Sequence, residues 1–254
     1  MIGVFDSGVG GLSVLTEIRR SLPKADLLYV ADRARAPYGP RSLNEIQRFS
    51  LEISGWLLDR GCQTLVVACN TASAAALDLL RAEHPDTPII GMEPAVKPAA
   101  VTTQSGVIAV FATAATFQGR LFESVVSRFG EGVTVFTAAC PEWVELVEAG
   151  KVDGPEVEQA VSVRVGEAID AGADTLVLGC THFSFLGAVL TRVVGPEVRV
   201  IDPAPAVAAQ TARMAMDAAG SSTTTLAASG DLSQFRALAS ALAGITTDRV
   251  IPFP

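Results

Sequence analysis

The chain has 254 residues, 49% hydrophobic and 18% charged, enough apolar material for a sizeable core and unlike a globally disordered chain. Its 27 acidic against 19 basic residues leave a net charge of −8, which argues against nucleic acid as a main partner. No apolar run reaches the roughly 18 residues that a membrane span needs, the start Met1–Asp6 lacks a signal-peptide pattern, and the two histidines and four cysteines show neither CxxC nor HExxH spacing, so no metal site and no disulfide framework is expected. The cysteines read as reduced thiols of a cytoplasmic protein.

In chain order, short apolar runs read as buried strands: Ile2–Phe5, Asp26–Val30, Thr64–Ala68, Pro88–Gly91, Gly106–Phe111, Val133–Thr137, Thr175–Leu178, Val198–Ile201 and a last one near Thr225–Ser229. Between them lie helix-like stretches at Gly11–Ser21, Ser42–Arg60, Ala72–Glu83, Phe117–Phe129, Gly154–Ala171 and Phe183–Val193. A final pair covers Ala206–Ala219 and Leu232–Ala243. Strands alternating with helices predict an α/β fold with mainly parallel sheets flanked by helices.

An internal repeat divides the chain. Gly61–Ser73 (GCQTLVVACNTAS) aligns with Gly172–Ser184 (GADTLVLGCTHFS) at an offset of 111 residues, and Pro94–Val96 recurs as Pro205–Val207 at the same offset. Two pseudosymmetric domains are therefore expected, 1–96 plus 207–254 and 97–206, with a ligand cleft between them. The alternative is one larger sheet with coincidental alanine-rich similarity.

Cys69 and Cys180 occupy equivalent places in the two copies, each after a strand and before a helix. Ligands bind at that end of parallel strands, and a helix N-terminus is expected to lower a thiol pKa. Either cysteine alone reads as a small buried hydrophobe; the symmetric pair reads as two thiols facing one cleft. Two facing thiols suit disulfide exchange, or stereochemical inversion in which one removes a proton from carbon and the other delivers one to the opposite face. Cys62 and Cys140 lack this placement and read as structural. Gly8, Gly10 and Gly11 after the first strand let backbone approach a ligand, and Asp6 there is either a helix cap or a helper. His182, two residues past Cys180, joins the same turn.

These features together resemble the glutamate racemases of the cofactor-independent aspartate/glutamate racemase superfamily. The resemblance rests on Asp6–Gly11 (DSGVGG), Asp32–Gly39 (DRARAPYG), Ala68–Ser73 (ACNTAS) and Leu178–His182 (LGCTH), with softer matches at Glu93–Pro98 and Ser229–Asp231. It implies interconversion of L- and D-glutamate without a cofactor, supplying peptidoglycan. Cys69 and Cys180 would be the two acid/bases, Asp6 a helper near Cys69, His182 a helper near Cys180, and Glu148 a further helper. Asp6, Ser7, Pro37, Tyr38, Gly39, Asn70, Thr71, Thr113, Thr116, Thr181 and His182 would line the glutamate site. The resemblance also allows a homodimer. Racemization of another amino acid such as aspartate, and a thiol-redox or cysteine-hydrolase activity, stand as alternatives. Two departures stand out: Arg33 where the family often has threonine, and Phe183–Ser184 where it often has Tyr-Pro.

Overall fold

The alternating pattern resolves into two parallel sheets in the structure, a computed structural model that describes residues 1–215 and 220–254. The chain begins with β1 (Ile2–Asp6), α1 (Leu12–Ser21), β2 (Leu27–Ala31), α2 (Leu43–Leu58), β3 (Thr64–Val67), α3 (Asn70–Glu83) and β4 (Ile89–Gly91). It passes through α4 (Val96–Thr102) into β5 (Val107–Ala112), α5 (Ala114–Gln118), α6 (Arg120–Phe129), β6 (Thr134–Ala139), α7 (Pro141–Glu148) and α8 (Pro155–Asp170). Then come β7 (Thr175–Gly179), a 3₁₀ turn (Thr181–Leu186), α9 (Gly187–Val194) and β8 (Arg199–Ile201). It returns through α10 (Ala204–Met214) to β9 (Thr224–Ala228), α11 (Leu232–Ala243) and β10 (Val250–Pro252). The end of the expected helix Ala206–Ala219, residues 216–219, lies outside the described residues.

The six-stranded sheet has the order β10-β9-β2-β1-β3-β4 and the four-stranded sheet the order β6-β5-β7-β8. Every pairing is parallel. The run β2-β1-β3-β4 maps onto β6-β5-β7-β8, so the sequence repeat is a repeat of topology. In each sheet the order reverses between the first and third strand of the repeat, β1 and β3 in one and β5 and β7 in the other. That switch point opens a crevice at the strands' carboxyl ends, and Cys69 and Cys180 follow β3 and β7 there.

Local chemistry explains the elements. Ser42 and Glu45 form a capping box at the start of α2. Gly61 and Gly172, which open the two repeat copies, have φ of +81° and +90°; both turn the chain from helix into strand through a conformation that glycine adopts without strain. The expected helix Phe117–Phe129 is two helices broken at Gly119. A side chain there would press into the Ala74 carbonyl at 3.0 Å, because α6 starts against α3. The expected helix Phe183–Val193 begins instead as the 3₁₀ turn and becomes α-helical at Gly187. Three further elements, α4, α7 and β10, have eight residues or fewer, too short for a period to stand out.

Phe183 is fully buried, edge-on to Trp143 at 4.9 Å, and Trp143 packs on Phe111 at 5.1 Å. This departure from the family pattern therefore fills the core beneath the second sheet. It belongs to the same apolar cluster as Val9 and Leu12 of the first half, so the two halves share a continuous core.

Candidate active site

A cavity of about 390 Å³ opens between the two switch points. Its mostly apolar wall includes Ser7, Pro37, Tyr38, Gly39, Cys69 and Thr71 from the first half, and Thr113, Cys180, Thr181 and His182 from the second. Both sulfurs therefore face one chamber. Asp6, Asn70 and Thr116 are buried behind that wall, and Glu148 lines a smaller adjoining chamber of about 220 Å³ with Arg33, Ser7 and His182.

Cys69 is the N-cap of α3: its sulfur accepts the Ala72 N–H at 3.4 Å and lies 3.7 Å from the Ser7 hydroxyl. A lowered thiol pKa was expected from that helix N-terminus, and the structure reverses it. Burial and the neighbouring Asp6 charge push Cys69 up to about 12, outweighing the Ala72 N–H. Both effects favour the protonated thiol over the thiolate at Cys69. Cys62 rises to about 11 and Cys140 higher still, both first through burial, and neither lines the cavity.

The second thiol has different company. Cys180 Sγ lies 3.6 Å from His182 Nδ1, and His182 Nε2 lies 2.8 Å from Glu148 Oε1. The same Glu148 oxygen accepts the Val9 N–H at 2.8 Å, tying the end of α7 to the glycine-rich loop of the first half. Burial alone would lower the His182 imidazole; its hydrogen bonds to Cys180 and Glu148, and their charges, outweigh burial and raise it well above the ordinary value. Glu148 shifts the other way. Burial pushes it up, but the His182 hydrogen bond and charge, the Val9 N–H and the Arg33 guanidinium hold it below the usual carboxylate range.

Asp6 joins the halves from below. One oxygen accepts the Gly8 N–H at 2.7 Å and the other accepts the Thr181 hydroxyl at 3.0 Å. Burial raises its pKa despite the nearby His182 charge. The glycines of this loop are required by proximity. A Cβ on Gly8 would overlap Glu148 Oε1, and one on Gly10 would overlap His182 Nδ1 and Thr181 Oγ1.

Thr71, Thr113 and Thr116 form a triangle of hydroxyls with edges of 2.8, 3.2 and 2.9 Å. Beside it the Asn70 amide oxygen and nitrogen are buried without a hydrogen-bond partner, an arrangement that costs roughly 1–3 kcal/mol per group unless a polar guest completes it. The adjoining wall, where Gly39 approaches Thr113, is fixed by Asp32, which accepts from Tyr38 at 2.5 Å, Arg35 at 2.6 Å and Ser229 at 3.1 Å. In the sequence Asp32 stands out only as a member of the Asp32–Gly39 motif; in the structure its network holds Pro37–Gly39 against the cavity. The sequence reading also missed Val144 and Glu145 of α7, which line the cavity, because that helix was not foreseen; Pro141 after Cys140, a common first helical residue, was the available signal.

The Asp/Glu/hydantoin racemase family model matches residues 2–211. A glutamate racemase of Roseiflexus sp. (strain RS-1) is 50% identical over 216 residues, covering 85% of this chain and 79% of its own. The Escherichia coli glutamate racemase solved with L-glutamate and the activator UDP-MurNAc-Ala superposes with a TM-score of 0.88 at 31% identity, covering 99% of this chain and 96% of that one. The Francisella tularensis subsp. tularensis SCHU S4 glutamate racemase solved with D-glutamate gives 0.87 at 25% identity, covering 100% and 97%.

Proposed function

The chain belongs to the Asp/Glu/hydantoin racemase family, and from that membership we infer that it is an isomerase interconverting L- and D-glutamate. Such enzymes work without a cofactor, and the D-glutamate formed goes into peptidoglycan. The observation that carries the reading to this chain's own residues is the single chamber walled by Cys69 and Cys180.

In the proposed cycle, one thiolate takes the proton from Cα and the opposing thiol protonates the other face. The roles exchange for the reverse direction. Burial beside Asp6 favours the thiol form of Cys69, the form that delivers a proton. Protonated His182 stands where its Nδ1–H supports a thiolate at Cys180, and Glu148 holds that imidazole from the other nitrogen. The Thr71–Thr113–Thr116 hydroxyls and the Asn70 amide bind the substrate's carboxylates and ammonium, while Tyr38 and Gly39 close the wall beside Thr113. Asp6 acts through the Gly8 N–H and Thr181, setting the loop that joins both thiols. Aspartate is one methylene shorter and would reach fewer of these groups at once. A thiol-redox activity leaves the acid/base surroundings of the two sulfurs without a role, and a cysteine hydrolase would use Cys180, His182 and Glu148 but leave Cys69, in the same chamber, idle.

The two sheets are proposed as the cores of two domains, 1–96 plus 207–254 and 97–206. No helix among the described residues is long and apolar enough to cross a membrane; cytoplasmic placement, where glutamate is at hand, and a homodimer, measurable by light scattering, belong to the same proposal.

The test is incubation with L-glutamate and, separately, L-aspartate in D₂O. Decay of circular dichroism and loss of the Cα proton signal are expected with glutamate, and Cys69→Ser and Cys180→Ser should each reduce racemization by about a thousandfold or more, as removal of a reacting group does. Full-rate racemization by both variants would overturn the two-thiol mechanism, and preference for aspartate would overturn the substrate.

A further inference from the structure

The adjoining chamber carries a guanidinium that two-thiol chemistry does not use. Arg33 follows β2, and its side chain is only 13% exposed. Both terminal nitrogens lie 3.3 Å from Gln234 Oε1, and Gln234 is fixed in the first turn of α11, donating its N–H to Asp231. Arg33 Nε lies 3.5 Å from Glu148 Oε2 and, although buried, has no hydrogen-bond partner.

Glu148 thus divides its oxygens. Oε1 is committed to His182 and to the Val9 N–H; Oε2 points to Arg33. Among the described residues no other lysine or arginine lines either chamber, while Glu145 and Glu148 line them and Asp6 lies behind the wall. His182 offers positive charge only while protonated. The charge on Arg33 is permanent.

Resting on the racemase reading above, we propose that Arg33 is a positioning residue for the Cys180 half of the proton-transfer machinery: it holds Glu148 Oε2 across the gap between the halves, so that Oε1 stays on His182 and the imidazole stays aimed at Cys180. The relay runs from α11 through Gln234, Arg33 and Glu148 to His182 and the sulfur. A neutral side chain at 33 would leave the carboxylate free to rotate off the imidazole and easier to protonate. The charged or titratable groups around Glu148 are Arg33 after β2, Asp6 after β1, Tyr29 in β2, Glu145 on α7, Cys180 and His182 on the second thiol's turn, and Asp231 at the start of α11. Of these only Arg33 and protonated His182 favour its ionised form. Loss of one of two such cations should move the acid-side protonation upward by about one pH unit, the low end of the effect of an opposite charge at this range.

The chain has only two histidines, so ¹⁵N-imidazole NMR follows His182 directly, with His84→Gln assigning the other signal. Samples of wild type, Arg33→Gln, Arg33→Met and Arg33→Lys are titrated, and the pH profile of racemization is measured on the same samples. In the Gln and Met variants the acid-side inflection of His182, and the acid limb of kcat/KM, move up together by about one unit; Lys, which keeps the charge, reverses most of that shift. Gln234→Ala, at an exposed position, frees the guanidinium and gives a smaller shift in the same direction, which decides the matter should neither neutral variant fold. Unmoved inflections in these variants, or equal shifts in Lys and Gln, would overturn the role of Arg33 while wild type still racemizes. A wild type that does not racemize would instead overturn the reading on which it rests.

Discussion

Gly10→Ala offers a sharp measure of how tightly the two halves must meet. A methyl group there would overlap His182 Nδ1 and Thr181 Oγ1 and lie 2.8 Å from His182 Cε1. The imidazole cannot slide away freely, being held at 2.8 Å by Glu148 and 3.6 Å from Cys180. To restore ordinary contact, the turn carrying Thr181 and His182 must retreat by about 1 Å, and a misplacement of that size costs about a hundredfold in rate. Overpacking costs roughly 1–3 kcal/mol, a fall in Tm of roughly 2–12 °C for a chain this long. Gly55→Ala is the matched control. It lies within α2, a built Cβ meets nothing within 4 Å, and alanine there should raise stability by roughly 0.5–1 kcal/mol with activity unchanged. Circular dichroism reports racemization and thermal unfolding on the same samples. A Gly10→Ala enzyme within about threefold of wild-type kcat/KM would refute the argument, since the close approach would then be dispensable.

Two further perturbations probe the site's electrostatics and its fixed wall. The His182 pKa is raised in the folded protein, so its charge stabilises the fold fully below the unfolded value of 6.5 and loses that contribution as pH climbs through the raised folded value; His182→Gln should therefore be most destabilised relative to wild type below pH 6.5, with the gap in urea midpoints closing at alkaline pH, and a gap that widens there would contradict the assignment. Asp32→Asn removes the carboxylate shared by Tyr38, Arg35 and Ser229. A loss of about 2–4 kcal/mol is expected, at the lower end for a broken buried pair because Arg35 keeps Glu52. The glutamate KM should rise by about tenfold as the Pro37–Gly39 wall loosens, a shift that one good charged contact is worth; unchanged stability and KM would show the network to be idle.

The sequence revealed features that repeat or punctuate, and concealed those that depend on distant packing. The paired cysteines, and the glycines that open each copy, were legible because Gly61–Ser73 and Gly172–Ser184 align position by position and both glycines need positive φ. The Cys69 pKa was not. A helix N-terminus is a local feature that sequence displays, whereas the burial that pushes this thiol up to about 12 comes from packing with Phe5, Tyr38 and other residues brought from distant parts of the chain. The same holds for α7. Its eight residues show too little periodicity, yet the fold brings its last residue, Glu148, to His182 and Val9. Arg33 announced itself only as a departure from a motif; its contact with Glu148 crosses between the halves.

The relation between symmetric fold and asymmetric site follows from the substrate. Enantiomers have equal free energies, so a racemase must present comparable acid/base groups to both faces of one carbon, and duplicated switch points supply that pair. The other substituents have no such symmetry: an ammonium, a carboxylate and a longer carboxylate arm leave Cα in three directions. A site doubled in every detail would bind the substrate in two competing orientations. Here the repeat is kept at the sulfurs and abandoned around them. Cys69 caps a true helix and rises through burial beside Asp6; Cys180 precedes a 3₁₀ turn and faces an imidazole anchored by Glu148. The Thr71, Thr113 and Thr116 hydroxyls lie together in a single cluster, and in the proposed binding mode that cluster gives the guest one orientation. The two sulfurs share a chamber but not their neighbours: a buried carboxylate stands beside one and an imidazole beside the other.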